Sequence, residues 1–354
     1  MPSEATMNAL VLHAVGDARY EKIPKPEPAP GEVLVRVGFC GVCGSDIPRT
    51  FVKGTYHFPT VCGHEFAGTV EACGAEVEDY RPGDRVVVFP LLWCGKCASC
   101  ELGNYVQCSD YDYYGSRRDG AFAEYVSVPP KNLVPVPDNV SMEAASMTEP
   151  AAVALHALKR AGGSFIGETV VIFGAGPIGL MAAQWARMMG AANIVVFDLI
   201  IEKLAMAKKL GFELAINVRD CDPVDKVNEL TGGHGAEVCV EGAGVPITLN
   251  QAIAAARVNG RVVIMGNPSA EVTLPAALIS QAMRRELDVF GTWNSAFSAA
   301  GNNDDWRAVL TAAASGAIDL DSLVSHRVPL ESSFDALVMM RDQSEFFAKV
   351  LIQP

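Results

Sequence analysis

Four cysteines at positions 94, 97, 100 and 108, in "WCGKCASCELGNYVQC", are the densest chemistry in the chain. Thiolates at this CxxCxxCx7C spacing can close a tetrahedral zinc shell on one compact lobe. Four protein ligands leave no position for substrate, so such a zinc is structural. An iron–sulfur cluster also takes four cysteines, but ferredoxin spacings differ from this one. Disulfides suit an oxidising compartment, whereas "MPSEATMNALVLHAVG" lacks the basic head and apolar run of a signal peptide. The expectation is a reducing, cytoplasmic location. A second set of donors is dispersed: "CGVCGSD" contains Cys43 and Ser45, "CGHEFAG" contains His64 and Glu65, and "TEPAAVALHA" contains Glu149. Taken singly, each reads as a small core thiol or a solvated loop side chain. Taken together, thiolate, imidazole and carboxylate suit zinc with one position left open for water or substrate.

The second chemistry is nucleotide binding. "GAGPIG" places Gly174, Gly176 and Gly179 after the apolar "TVVIF" and at the start of the helical pattern "PIGLMAAQWARMMGA". Gly174 permits a tight turn, Gly176 lets the backbone approach a pyrophosphate, and Gly179 lets helix and strand pack closely. Pro177 and Ile178 open the helix, whose N-terminus faces the phosphates. Asp198 ends the next strand pattern, "NIVVFD", where an acid hydrogen-bonds an adenosine ribose. The "LIIEK" that follows brings Lys203 and no arginine for a 2′-phosphate, so NAD is favoured over NADP.

These groups need elements to hold them. Up to about residue 150, "EVLVRVGFCGVCG", "GTVEACG", "DRVVVFP" and "FAEYVSVPP" read as short strands with turns, entered through the proline-rich "IPKPEPAPG". From Ala151 the texture changes to alternating apolar strands and helices: "NIVVFD", "IEKLAMAKKLG", "EVCVEGAG", "PITLNQAIAAARVNG" and "RVVIMGN". That alternation implies an α/β unit with a parallel doubly wound sheet. The apolar run over 169–186 has the length of a membrane span, but its glycine turn and Gln184 fit a strand, turn and helix instead. "VSHRVPLESSFDALVMM" reads as a closing strand and helix. A net charge of −13 argues against general binding of nucleic acid or anionic membrane, which needs a basic face.

"GHEFAG", "CGSD", the four-cysteine lobe and "GAGPIG", in this order, resemble the zinc-dependent medium-chain dehydrogenase superfamily over essentially the whole chain. Glutamate at 149, inside "EP", is similar to the polyol dehydrogenase branch rather than to liver-type alcohol dehydrogenases. Within that branch, "CGSDIPRTF", "PLLWC" and "GSRRDGAFAEY" most resemble the galactitol-1-phosphate dehydrogenases. The resemblance implies a mostly β GroES-like catalytic domain at 1–155, with the structural zinc lobe at about 90–115. It further implies a Rossmann NAD-binding domain at 156–289 and a C-terminal segment, 290–354, that completes the catalytic domain. Cys43, His64 and Glu149 are then the catalytic zinc ligands, with Glu65 a ligand in some states and a near neighbour in others. The cofactors are NAD and two zinc ions per subunit. Zinc is a Lewis acid for the alcohol oxygen and NAD takes the hydride. Ser45 matches a serine that starts a proton relay in many relatives, but the histidine expected to end it is missing, since "IPRTF" follows Asp46. The relay ends in water or in a carboxylate such as Glu149, and Asp46 itself reads as a cap or turn partner.

The expected substrate is a small sugar alcohol or its phosphate. Arginine binds two phosphate oxygens at once, so Arg49, six residues after Cys43, and Arg118, in "GSRRDG", are candidate phosphate holders; ordinary salt-bridging is the alternative for each. The acidic balance does not help a phosphate ester approach, which keeps free galactitol, sorbitol, L-iditol or xylitol as alternatives. A zinc-free quinone-type reductase and a non-catalytic homologue are further alternatives, weakened by the intact ligand set and glycines. Homodimers or homotetramers are expected, joined through an apolar sheet edge near "RVVIMGN".

Overall fold

The computed structural model describes residues 5–299, 301 and 304–354, which divide into two compact units. One unit runs to Glu149 and takes in Ala296–Gly316 and Leu320–Pro354; the other is Pro150–Ser295 with Ala317–Asp319.

The first unit is built on a β sheet whose central strand is Val33–Gly41. Along the sheet lie Leu133–Pro135, Arg85–Val88, Glu65–Cys73, Val33–Gly41, Lys349–Gln353 and Val324–Pro329, with Tyr125–Val128 also paired to Val33–Gly41. Pairing is antiparallel except for the last two on the path, which run parallel. Gly41 lies opposite Glu65 on one side and Leu351 on the other, a register that decides the site below. Val35, Phe66, Phe122, Leu337 and Ile352 belong to one core cluster. The returning 296–316 stretch is anchored by rings. Phe297 stacks on Phe89 at 4.1 Å, and the fully buried Trp306 meets Phe89 edge-on at 5.3 Å. A hairpin of Thr6–Ala14 with Asp17–Pro24 precedes the strands read from sequence. Its second strand buries no residue, so it carries no apolar alternation to read.

The second unit holds a six-stranded parallel sheet. The order is Ala215–Asn217, Asn193–Asp198, Thr169–Phe173, Ala236–Glu241, Ala256–Ile264, Asp288–Gly291. This doubly wound order is the Rossmann topology, and it reverses beside Thr169–Phe173, where ligands sit in such sheets. All five residues of Thr169–Phe173 are buried, which is why it is apolar from Val170 on. The apolar 169–186 run thus resolves into a strand, a glycine turn and the helix Pro177–Met188. Among the described residues no helix is long and apolar enough to cross a membrane.

One expectation is corrected here. The strand of "RVVIMGN" is not a sheet edge: Ala256–Ile264 lies between Ala236–Glu241 and Asp288–Gly291. The edge belongs to Asp288–Gly291, whose four residues are too short a run to show a period. The strand also begins at Ala256, so the helix over "PITLNQAIAAARVNG" stops at Ala255.

Candidate active site and metal centres

Cys43 follows the central strand of the first unit in a tight turn. Its N–H donates to Asp46 Oδ2 at 2.9 Å, and Asp46 N–H donates back to the Cys43 carbonyl at 3.0 Å. Asp46 is fully buried, and its other carboxylate oxygen accepts from Arg49 and lies 3.6 Å from His64 Nδ1. Asp46 is therefore a turn partner, as read from sequence, and also the counter-charge of Arg49. The exposed Ser45 hydroxyl donates to Cys43 Sγ at 3.2 Å.

His64 and Glu65 enter from the neighbouring strand. Gly63, at φ 93°, turns the chain where a Cβ would meet the Phe122 ring at 2.6 Å. Glu65, 2% exposed, is ion-paired with Lys349, whose ammonium also donates to the Val42 carbonyl at 3.1 Å. Gly41 makes room for this pair, since a Cβ there would lie 2.4 Å from Glu65 Oε2 and 2.7 Å from Lys349 Cε. Burial disfavours the Lys349 ammonium most, but Glu65, Cys43 and Glu149 together outweigh it and raise the pKa. No sequence motif marks Lys349. It stands far from Cys43 along the chain, and only the strand pairing at Gly41 brings it in.

Glu149 sits in the first turn of the helix Thr148–Arg160, where the backbone dipole favours a carboxylate. Its Oε1 accepts from the Tyr113 hydroxyl at 3.4 Å, and the Tyr113 ring lies 5.6 Å from that of His64. Burial pushes the Glu149 carboxyl up to about 7, with His64 opposing and Glu65 adding. Tyr113 is a second member of the site that no sequence motif singles out.

The donor atoms of Cys43, His64 and Glu65 all lie within 4.8 Å of one another, and Glu149 stands outside that limit. Two observations test whether this set fits a cation. His64 Nδ1 is buried without a hydrogen-bond partner. The Cys43 thiol is pushed up to about 12 by burial and then by the carboxylates of Glu65, Asp46 and Glu149, an excess of negative charge that a divalent ion relieves. Thiolate, imidazole and carboxylate are zinc's ligand types, so the residues fit that metal.

The four lobe cysteines converge as well, with their sulfurs within 4.8 Å of one another and none in a disulfide. Cys97 Sγ lies 3.5 Å from Cys100 Sγ and 3.9 Å from Cys108 Sγ. A tetrahedron with Zn–S bonds of about 2.3 Å has edges of about 3.8 Å, so the spacing suits zinc. Backbone N–H groups hold the Cys97 thiol down to about 6, while burial pushes Cys100 up to about 12.

In the second unit, Gly174 has φ 107°, and a Cβ on Gly179 would lie 1.9 Å from the Gly174 carbonyl. Gly176 precedes Pro177 at the helix start, and a Cβ there would meet nothing within 4 Å, so its approach side is open. Ile178 is in the first turn and half-buried. Asp198 Oδ2 accepts the Ala175 N–H at 2.7 Å and ties the strand end to the glycine loop. Lys203 is half-buried in the helix Ile201–Lys209.

The two arginines singled out from sequence are both occupied. Arg49 pairs with Asp46, as above. Arg118 pairs with Asp112 at 2.9 Å and lies over the Tyr114 ring at 5.3 Å.

Comparison with known proteins gives a consistent picture. Residues 29–138 match the alcohol dehydrogenase GroES-like domain, and residues 177–315 match the zinc-binding dehydrogenase family. Galactitol 1-phosphate 5-dehydrogenase of Escherichia coli K12 is 36% identical over 306 residues, 86% of this chain and 88% of that protein. Sorbitol dehydrogenase of Bacillus subtilis 168 is 33% identical over 355 residues, 98% of this chain and 97% of that protein. The crystal structure of galactitol-1-phosphate dehydrogenase from Escherichia coli superimposes with a TM-score of 0.90 at 34% identity, covering 98% of this chain and all of the other.

Proposed function

The chain belongs to the zinc-binding alcohol dehydrogenase family and is an oxidoreductase of that type; from this premise we propose that it transfers hydride between NAD(H) and a secondary alcohol of a sugar-alcohol phosphate, with one catalytic and one structural zinc per subunit. The observation that carries the reading is the convergence of Cys43, His64 and Glu65 donors within 4.8 Å. When bound there, zinc supplies a Lewis acid for the alcohol oxygen, and NAD at the glycine loop supplies the hydride acceptor.

The remaining chemistry is the chain's own. The Asp46 carboxylate fixes the Cys43 turn through the 2.9 Å bond from its N–H. The Ser45 hydroxyl, exposed beside the thiol, is placed to pass the alcohol proton outward. Lys349 holds Glu65, which leaves Glu149 as the carboxylate free to complete the metal shell or to take that proton. A carboxyl pushed up to about 7 is matched to proton transfer near neutral pH. At the cofactor loop, the negative charge of Asp198 and the absence of arginine in "LIIEK" favour a free ribose hydroxyl, hence NAD. The phosphate ester is favoured by the relative named for galactitol 1-phosphate.

A second reading, oxidation of free polyols, is supported by the carboxylate partners of Arg49 and Arg118, and the Bacillus subtilis relative is named for sorbitol. The deciding experiment offers zinc-loaded protein galactitol 1-phosphate, galactitol, sorbitol and xylitol with NAD or NADP, and follows reduced nicotinamide. NAD-linked oxidation of the phosphate ester is expected, with Cys43→Ser lowering kcat by about 100-fold or more. Oxidation of none of the four overturns the polyol reading. Equal or better rates with the free polyols overturn the phosphate.

A further inference from the structure

We infer that Arg117, with Lys96, forms the anchor for the phosphate group of the substrate, in a cavity against the four-cysteine lobe; this rests on the reading of the protein as a sugar-alcohol-phosphate dehydrogenase. The cavity belongs to the first unit and measures about 700 Å³. Tyr56, Trp93 and Tyr111 supply its aromatic walls, and Lys96 and Arg117 its cations.

Arg117 differs from the two arginines picked out by position in sequence. Among the described residues no carboxylate pairs with it, whereas Asp46 takes Arg49 and Asp112 takes Arg118. Its guanidinium lies over the Tyr56 ring at 4.2 Å and the Tyr111 ring at 4.4 Å. A guanidinium covered by ring faces keeps its N–H donors in its own plane, in the fork that fits two phosphate oxygens. One of those donors, Nε, is buried without a hydrogen-bond partner. An unmatched buried donor is costly, and an anion arriving in that plane relieves it.

The surroundings hold this arginine in place. His57 Nε2 donates to the Arg117 carbonyl at 3.1 Å, and Tyr56 N–H donates to the Ser116 carbonyl at 3.4 Å. These bonds tie the 56–57 loop to the 116–117 loop and keep Tyr56 over the guanidinium. Two carboxylates also line the cavity. Asp112 is committed to Arg118 and to the Tyr113 N–H at 2.8 Å, which leaves Asp110 as the one acid against Lys96 and Arg117. The local balance therefore favours an anion although the whole chain carries −13.

The lining includes none of Cys43, His64, Glu65 and Glu149, and the link to them runs from Tyr111, in the cavity wall, to Tyr113, two residues on. Tyr111 meets Tyr113 edge-on at 6.4 Å, and Tyr113 reaches both the His64 ring and the Glu149 carboxylate. A substrate with its alcohol at the cluster and an ester at its far end would lie along this tyrosine pair.

The test compares wild type, Arg117→Gln and Lys96→Gln, each zinc-loaded and checked for zinc content and melting temperature. Galactitol 1-phosphate and free galactitol are the substrates, and binding of inorganic phosphate is read by calorimetry. Arg117→Gln is expected to raise KM for the phosphate ester by about 10- to 100-fold, and Lys96→Gln by less, with free galactitol changed under about threefold. Inorganic phosphate should compete with the ester in wild type and bind at least about tenfold more weakly to Arg117→Gln. An unchanged KM for the ester, or equal losses on both substrates, overturns the anchor. So does oxidation of free polyols by wild type with no gain from the phosphate, although the polyol reading then survives. If wild type oxidises no polyol, that reading fails by itself. The phosphate calorimetry still decides the anchor, which falls if wild type and Arg117→Gln bind alike.

Discussion

Cys97 and Cys100 are neighbours in one cluster and hold their protons with opposite strength. Backbone N–H groups of Ser109 and Cys100 draw the Cys97 thiol down to about 6, and burial pushes Cys100 up to about 12. At pH 7, above the first value and far below the second, metal-stripped protein carries Cys97 mostly as thiolate and Cys100 as thiol. The thiolate is the nucleophile, so brief alkylation followed by peptide mass spectrometry is expected to label Cys97 at least about tenfold faster, and zinc to suppress labelling at both. Equal labelling would mean that the lobe loses this geometry without metal. The Glu65–Lys349 pair makes a second prediction at this scale. Both side chains are under 5% exposed, so Lys349→Met strands a buried carboxylate, at a cost of about 3–5 kcal/mol. Adding Glu65→Gln should recover most of that loss. A double-mutant cycle in denaturant, run on metal-free protein, measures the coupling, and additive losses would refute it.

The glycine loop separates folding from binding within one element. Gly176 has φ −67° and open space where a Cβ would go, so Gly176→Ala should leave the melting temperature unchanged. The added methyl stands where the backbone approaches a pyrophosphate, so NADH affinity, read by fluorescence titration, should fall about tenfold or more. Gly179→Ala meets the Gly174 carbonyl and should lower stability itself. An unchanged affinity in the first variant would place the dinucleotide elsewhere. These elements are legible in the sequence because their signals are local: an apolar run, glycines at fixed offsets, a helical period. The same holds for the four cysteines, whose spacing brings their sulfurs together within one lobe. The outer strand of the N-terminal hairpin is not legible, since it buries nothing. Nor is Lys349 beside Glu65, a contact between residues 284 apart that is made by strand register, for which no short window carries a signal. The choice between Arg117 and Arg118, adjacent in "GSRRDG", is not legible for a related reason: what distinguishes them is the partner each one finds, and partners are set by loops from elsewhere in the chain.

The two units differ in how they are drawn from the chain. The second is nearly one continuous stretch, Pro150–Ser295, whereas the first is gathered from three. Its Lys349–Gln353 strand lies inside the sheet, between Val33–Gly41 and Val324–Pro329. A chain ending at Asp342 therefore lacks an interior strand, and limited proteolysis should cleave its first unit rapidly while the Pro150–Ser295 stretch resists. Equal resistance of both stretches would show that the strand is dispensable. The same placement sets a clock on biosynthesis. Val42 and Lys349 are 307 residues apart, and at about 5–20 residues per second a ribosome takes roughly 15–60 s to travel between them. Throughout that interval the Cys40–Gly41 end of Val33–Gly41 lacks its second partner and Glu65 has no cation. A prematurely terminated product thus emerges with a nucleotide fold but without a finished metal pocket, so interrupted translation yields no partly competent dehydrogenase.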